Sequence, residues 1–356
     1  MDIRDESVVR LPEAPLDPDH LPFGKMFSPN MFLIDWEEGE GWHDARIVPY
    51  ADLQLSPATM VFHYGQEIFE GLKAFRHPDG SVHVFRPDRN AARLNRSARR
   101  MSMPSIPVEL QLEAIRSLVR LDQAWVPPAP GSLYIRPCMI ATEVGLGVHS
   151  SKRFLYFIIT GPTGPYFKAD VALRIMVARD WVRAAPGGTG FAKTGGNYAA
   201  SLLAGEMASQ HDCQQVLWLD AVARDHVEEL GATNVMFVLD NVVTTPPTSG
   251  TILEGVTRES LGILCRELGL RFVERAIHIE EVFSGLETGD CTEIFGCGTA
   301  AVVSAVSELV DVRNGDEKAY RVGDGTEGPV ARQLREALTG IQRGTRPDTH
   351  DWLMRI

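Results

Sequence analysis

Residues 186–201, PGGTGFAKTGGNYAAS, place the tightest limits on this chain. Gly187, Gly188 and Gly190 precede Lys193, and Gly195 and Gly196 follow it. Glycine permits positive φ and lets backbone press close to a ligand. A lysine in such a frame has two chemical uses: it contacts a phosphate, or its amine attacks a carbonyl. The phosphate loop requires G-x-x-x-x-G-K-[ST]. Counting from Gly187, the second glycine is Ala192, followed by Lys193 and Thr194. A Cβ at that point obstructs an amide cradle for a triphosphate, so the spacing favours the amine nucleophile. Such an amine works only where burial or neighbouring charge suppresses its protonation.

Bulk properties narrow the partners. The chain of 356 residues has 35 basic against 47 acidic side chains, a net charge of −12. That excludes a general nucleic-acid binder, whose affinity comes from phosphate neutralisation. No apolar run reaches the ~18 residues of a membrane span, and MDIRDESVVRLPEAP lacks the apolar core of a secretory signal. The expectation is a cytoplasmic protein without membrane or nucleic-acid partners. Cys138, Cys213, Cys265, Cys291 and Cys297 are odd in number and form no C-x-x-C, so they read as free thiols.

The length predicts two domains. In the first half LKAFR and VHVFR alternate about HPDGS, a hairpin signal. Residues 88–102 read as a helix capped by Asp88, with arginines including Arg93 on a face that is either solvated or turned toward an anion. SLYIRPCMIAT and KRFLYFIITG read as strands, and GPTGPYFKAD is punctuated like a linker. In the second half VALRIMVARD, QQVLWLD and TEIFGCG read as strands. Residues 197–211, 256–269, 277–288 and 329–343 read as helices. The order lacks the βαβ alternation of a doubly wound sheet and favours α+β. The expected division is an N-terminal domain 1–162, a linker 163–172, and a larger C-terminal α/β domain 173–356 carrying Lys193.

A carbonyl-directed lysine suits pyridoxal 5'-phosphate, which also needs a carboxylate for its pyridine nitrogen and a cup for its phosphate. Glu229 of EELGATN is a candidate for the first; the alternative is a surface carboxylate, since Glu228 beside it is equivalent by composition. EGVTRES places Gly255 before a helix whose first amides belong to Val256 and Thr257, a phosphate-binding arrangement. The alternative is an ordinary helix start capped by Thr257. FGCGTAAV offers the amides of Thr299 and Ala300, or merely a tight turn. The lone GLG of Gly145 to Gly147 is too weak a signal for a dinucleotide site.

KTGGNYAAS, VEELGATNVMF, TPPTSGTILEGVTRESL and EIFGCGTAAVV, in this order, resemble the class IV pyridoxal-phosphate aminotransferases of fold type IV. HYGQEIFEGLKAF, FRPDRNAARLNRSARRM, SLYIRPCMIATEVGLGV and GPYF narrow the resemblance to the branched-chain amino acid aminotransferases. It covers about Phe23 to Trp352. It implies a two-domain fold and reversible amino transfer between L-leucine, L-isoleucine or L-valine and 2-oxoglutarate, giving branched-chain 2-oxo acids and L-glutamate.

By this resemblance Lys193 would hold the cofactor as a Schiff base and shuttle the substrate's Cα proton. Arg93, Val256, Thr257 and Thr299 would bind the phosphate, Tyr198 the phenolic oxygen and Glu229 the ring nitrogen. Thr299 and Ala300 amides would meet the substrate carboxylate, with Tyr134 and Arg136 on the same side. Phe69, Tyr64, Tyr166 and Phe23 would wall an apolar pocket, with Leu146 and Val148 reaching in from the other subunit of a homodimer. The chain departs from some relatives in carrying TAAVVS in place of a C-x-x-C after the turn, and Ala232 where a threonine is common. Lyase or D-amino acid chemistry on the same fold is the competing expectation.

Overall fold

The computed structural model of the protein describes residues 2–165, 172–313 and 315–356. They form two compact units, and the chain does not divide between them at a single cut. The first holds Met1–Tyr166, Ala192–Gly195 and Gly340–Ile356; the second holds Phe167–Phe191 and Gly196–Thr339. This corrects the expected division in two places: Lys193 groups with the first unit, and the C-terminus returns to it. Of the expected linker 163–172, the part from Tyr166 to Val171 lies outside the described residues.

The first unit is built from β1 (Arg4–Asp5), β2 (Asn30–Glu37), β3 (Gly41–Pro49), α1 (Met60–Tyr64), β4 (Glu67–Phe69), β5 (Leu72–Arg76), β6 (Val82–Phe85), α2 (Pro87–Arg100), α3 (Val108–Leu121), β7 (Ser132–Ala141) and β8 (Arg153–Thr163). Its nine-stranded sheet runs β1-β3-β2-β8-β7-β5-β6 and then the C-terminal strand Leu353–Arg355, with β4 paired to β7. The β5–β6 hairpin pairs Ala74 with Val84, as its alternation predicts. Alternate residues face one side of a strand. Phe32 and Ile34, Leu72 and Ala74, and Leu133 and Ile135 therefore share one core with Leu94 and Ala98 of α2 and Ile115 and Leu118 of α3. Asp88 is not the cap of α2: Pro87 takes the first helical turn, where its fixed φ fits, and Arg86 is the N-cap.

The second unit contains β9 (Leu173–Ala178), α4 (Gly195–Ala199), α5 (Leu202–Gln210), β10 (Gln215–Leu219), β11 (Val227–Leu230), β12 (Asn234–Leu239), β13 (Val242–Thr245), α6 (Val256–Glu267), β14 (Phe272–Glu274), α7 (Ile279–Thr288), β15 (Cys291–Gly298), β16 (Val302–Arg313), β17 (Asp316–Arg321) and most of α8 (Pro329–Gln342); the closing strand of the first unit is β18 (Leu353–Arg355). Its nine-stranded sheet runs β11-β10-β9-β16-β15-β12-β13-β14, with β17 on β16. The pairs β9/β10, β9/β16 and β13/β14 are parallel, so the sheet is mixed and the class is α+β. Both faces are covered. Leu173, Ile175 and Val177 pack with Val282 and Phe283 of α7, while Met176 and Ala178 pack with Ala204 and Ala208 of α5. The helix expected over 197–211 is interrupted after Ala199. Ser201 Oγ donates to the Tyr198 carbonyl at 2.7 Å, a local bond that competes with helix continuation. Among the described residues no helix is long and apolar enough to cross a membrane.

Candidate active site

In the first unit, residues 192–195 are stitched to the edge of β4. Phe69 N donates to the Lys193 carbonyl at 3.0 Å, Thr194 Oγ1 donates to the Glu67 carbonyl at 2.8 Å, and Gly195 N donates to Glu67 Oε1. A Cβ on Gly195 would stand 2.2 Å from that carboxylate oxygen, so a side chain here would push the Glu67 carboxylate off the Gly195 amide. Ala192 is 1% exposed, Lys193 is half-buried, and the Lys193 Nζ sits 4.6 Å from the Phe69 ring centroid. Burial pushes the Glu67 carboxyl up, against the pull of the Gly195 amide and Arg136.

Asn90, Arg93 and Ser97 recur at helical spacing on α2, Ser97 toward this segment and the other two toward Glu70. Ser97 Oγ accepts from Lys193 N at 2.8 Å. Arg93 is 4% exposed, which rules out the solvated reading for this arginine. Its Nε and Nη2 donate to the two oxygens of Glu70 at 2.7 and 2.8 Å, and Asn90 Nδ2 donates to Glu70 at 2.8 Å. Burial raises the Glu70 carboxyl, but the Arg93 charge and hydrogen bonds, with Lys193 behind them, outweigh it and hold the group below its ordinary range. The sequence reading had no role for Glu70. Its only signal was a carboxylate set among apolar strand residues.

Tyr134 and Arg136 lie two apart on β7 and share a face. Arg136 Nη2 donates to the Tyr134 hydroxyl at 2.9 Å. The Arg136 guanidinium carbon stands 4.8 Å from the Phe69 ring centroid, and Phe23 meets Tyr134 edge-on at 4.9 Å. Phe23, Phe69, Tyr134 and Arg136 thus come together. Gly71 makes room for the Tyr134 hydroxyl, which lies 2.1 Å from where a Cβ would be. Tyr64 is a correction: its hydroxyl donates to the Leu146 carbonyl of the same chain. Tyr64 and Leu146 therefore lie together within one chain. Leu146 and Val148 are 65% and 85% exposed. Tyr166 lies outside the described residues.

In the second unit, Tyr198 and Glu229 line one cleft with Asn197, Arg183 and Leu253. Glu229 is 3% exposed, so the surface reading fails for it, and for Glu228 at 6% as well. Arg183 Nε approaches Glu229 Oε2 to 2.6 Å. Asn234 Nδ2 and Leu253 N each donate to Glu229 Oε1 at 3.0 Å. Arg183 is a residue the sequence reading missed. A lone arginine in WVRAAP carries no motif, and its partner arrives from a distant strand. The start of α6 has Gly255 as N-cap with no side-chain cap, so Thr257 does not cap it. Thr299 and Ala300 form the half-buried turn between β15 and β16, after which Val302 adopts φ +59°. A β-branched residue at positive φ marks strain in this turn. Cys297 is fully buried and its thiol is pushed up to about 12 by burial, which leaves it inert.

Known proteins resemble this chain over most of its length. The family model described as Amino-transferase class IV matches residues 67–309. A branched-chain-amino-acid aminotransferase of Mycolicibacterium smegmatis is 48% identical over 341 residues, covering 94% of this chain and 92% of that protein. The solved branched-chain amino acid aminotransferase from Escherichia coli superposes with a TM-score of 0.71 at 29% identity, covering 90% of this chain and 98% of that one. The branched-chain aminotransferase of Thermoproteus uzoniensis, solved with norvaline, gives 0.75 at 25% identity, covering 91% and 99%. With a family model across most of its length and a relative near half identical, the chain belongs to the class IV aminotransferases, within the branched-chain-amino-acid aminotransferase family, and has their fold type IV architecture.

Proposed function

We propose that the protein moves an amino group reversibly between L-leucine, L-isoleucine or L-valine and 2-oxoglutarate, using pyridoxal 5'-phosphate anchored on Lys193. The observation that carries the reading is Glu229: a buried carboxylate, ion-paired to Arg183 and lining a cleft with Tyr198. The donor set fits the cofactor. Asn234, Leu253 and Arg183 hold Glu229 as an anion beside the cleft, the charge that a protonated ring nitrogen needs opposite it. Tyr198 would donate to the phenolic oxygen, and the uncapped start of α6 at Val256 and Thr257 suits a phosphate, with Thr299 and Arg93 as further contacts.

The bound cofactor supplies an electron sink for the charge that develops at the substrate's Cα. Lys193 Nζ would carry the proton between that carbon and the cofactor. Glu229 would keep the ring nitrogen protonated, a stabilisation that grows as charge develops and so lowers the barrier. The amides of Thr299 and Ala300 would receive the substrate carboxylate. Phe69, Tyr134 and Phe23 offer apolar surface to an aliphatic side chain, where discrimination is only ~1–3 kcal/mol per methylene. Arg136, stacked on Phe69, would pair with the second carboxylate of glutamate. We infer a homodimer in which Leu146 and Val148 of the partner subunit close the pocket, accompanied by Tyr64 of the partner subunit.

The test is direct. Protein loaded with pyridoxal phosphate should be yellow, lose its colour to borohydride, and yield a modified peptide at Lys193. L-leucine with 2-oxoglutarate should then produce glutamate. An adduct at another lysine overturns the anchor, and turnover of D-alanine but not L-leucine overturns the substrate class.

A further inference from the structure

Glu228 and Glu229 are consecutive on β11 and both are buried. One guanidinium serves the pair, and the hydrogen bonds decide which carboxylate receives it. Glu229 has the Arg183 guanidinium as an ion-pair partner, its Nε 2.6 Å away, and two N–H donors. Glu228 has a hydroxyl: Thr251 Oγ1 donates to its Oε1, and its Oε2 has no hydrogen-bond partner among the described residues. Burial raises the Glu228 carboxyl; the Thr251 bond and Arg183 lower it in part, and Asp220 adds to the rise. The Glu228 carboxyl thus has one hydroxyl donor, where Glu229 has a guanidinium beside it and two N–H donors.

Thr251 links the two carboxylates. Its hydroxyl goes to Glu228, and its carbonyl accepts from Arg183 Nη2. The same Nη2 donates to the Gly190 carbonyl at 2.9 Å. Gly190 itself leaves the Thr251 carbonyl 2.4 Å from where a Cβ would stand. Two residues beyond Thr251, Leu253 N donates to Glu229. The segment 251–253 is thus tied to Glu228 at one end and to Glu229 at the other, with Arg183 across it.

We propose that Glu228 is a positioning residue for transamination: a buried carboxyl that fixes Thr251 and, through the Thr251 carbonyl, aims Arg183 at Glu229. The proposal rests on Glu229 being the ring-nitrogen partner. It is tested with three variants of the holoenzyme and one double variant. Glu228→Gln keeps a carbonyl acceptor of the same shape, Glu228→Ala removes it, and Thr251→Val removes the hydroxyl at nearly constant volume. The readouts are the Kd for pyridoxal phosphate, the pH titration of the bound cofactor's visible absorbance, and kcat and KM for L-leucine. Glu228→Gln should stay within about twofold of the parent in every readout. Glu228→Ala and Thr251→Val should each weaken cofactor binding and lower kcat about tenfold, displace the absorbance titration, and leave KM within about twofold. The double variant should be no worse than either single one. If Glu228→Ala fails to fold, Thr251→Val carries the same comparison. The proposal is overturned by a Glu228→Ala or Thr251→Val enzyme that binds and titrates like the parent, by additive losses in the double variant, or by Glu228→Gln falling as far as Glu228→Ala. A parent enzyme that fixes no cofactor at Lys193 overturns the functional reading as well; one that does so, with Glu228→Ala unchanged, overturns this inference alone.

Discussion

Arg183 and Glu229 show how a side chain acquires a role from its partner. A carboxylate 3% exposed stays charged only if paired, and Arg183 at 2.6 Å supplies the counter-charge. Glu229→Gln should retain pyridoxal phosphate but lower kcat about ten- to a hundredfold with little change in KM, measured by steady-state kinetics with L-leucine. Normal turnover would mean that Glu229 does not serve the ring nitrogen. Lys193→Ala should leave the fold intact by circular dichroism, give no borohydride adduct, and lose about a thousandfold or more of transamination activity. Lys193, Tyr198 and Glu229 were legible as residue types because their chemistry is unusual in their local setting. Arg183, Asn234 and Ser97 were not, because an ordinary arginine, asparagine or serine gains meaning only from the group it touches.

The elements position these groups through their periods. Spacing along α2 sends Asn90, Arg93 and Ser97 to one face, so a single helix contacts Glu70 and the backbone of Lys193. The Arg93–Glu70 pair is bidentate and almost fully buried. Glu70→Ala should therefore strand a buried guanidinium and cost about 3–5 kcal/mol in urea unfolding; a cost below about 1 kcal/mol would show that the pair is relieved by other groups. Strand and helix existence followed closely from pattern: β5, β6, β7 and α6 lie where alternation and helical spacing predict. The details that failed were local chemistry. Pro87 displaced Asp88 from the cap, and Ser201 bonded back to Tyr198 and broke the helix after Lys193.

Across the molecule, two features make stability and assembly measurable. Lys73 on β5 is 6% exposed, and burial, with the Arg343 charge nearby, lowers its ammonium to about 7. Between pH 7 and the ordinary lysine value of 10.5 the unfolded chain holds a proton that the folded chain has shed, so this group makes stability rise with pH across that window. Lys73→Met should raise the melting temperature at pH 7 by several degrees and flatten the rise toward alkaline pH; a melt unchanged at pH 7 would contradict the buried-charge cost. Phe62, Val144, Leu146 and Val148 expose 61%, 62%, 65% and 85% of their surfaces in the first unit. If a second copy covers them, Leu146→Asp should shift sedimentation toward monomer and cut activity about tenfold or more. An unchanged dimer would remove Leu146 from the interface. The sequence by itself determined the α+β class and most elements, since these rest on local spacing and residue type, and its motifs carried the family resemblance. The tertiary structure alone decided that Lys193 groups with the first unit, that Tyr64 keeps company with Leu146, and that Glu229 rather than Glu228 receives Arg183. Each depends on which distant groups share one buried space, and there the cost of an unpaired charge or a bare polar atom selects the partner.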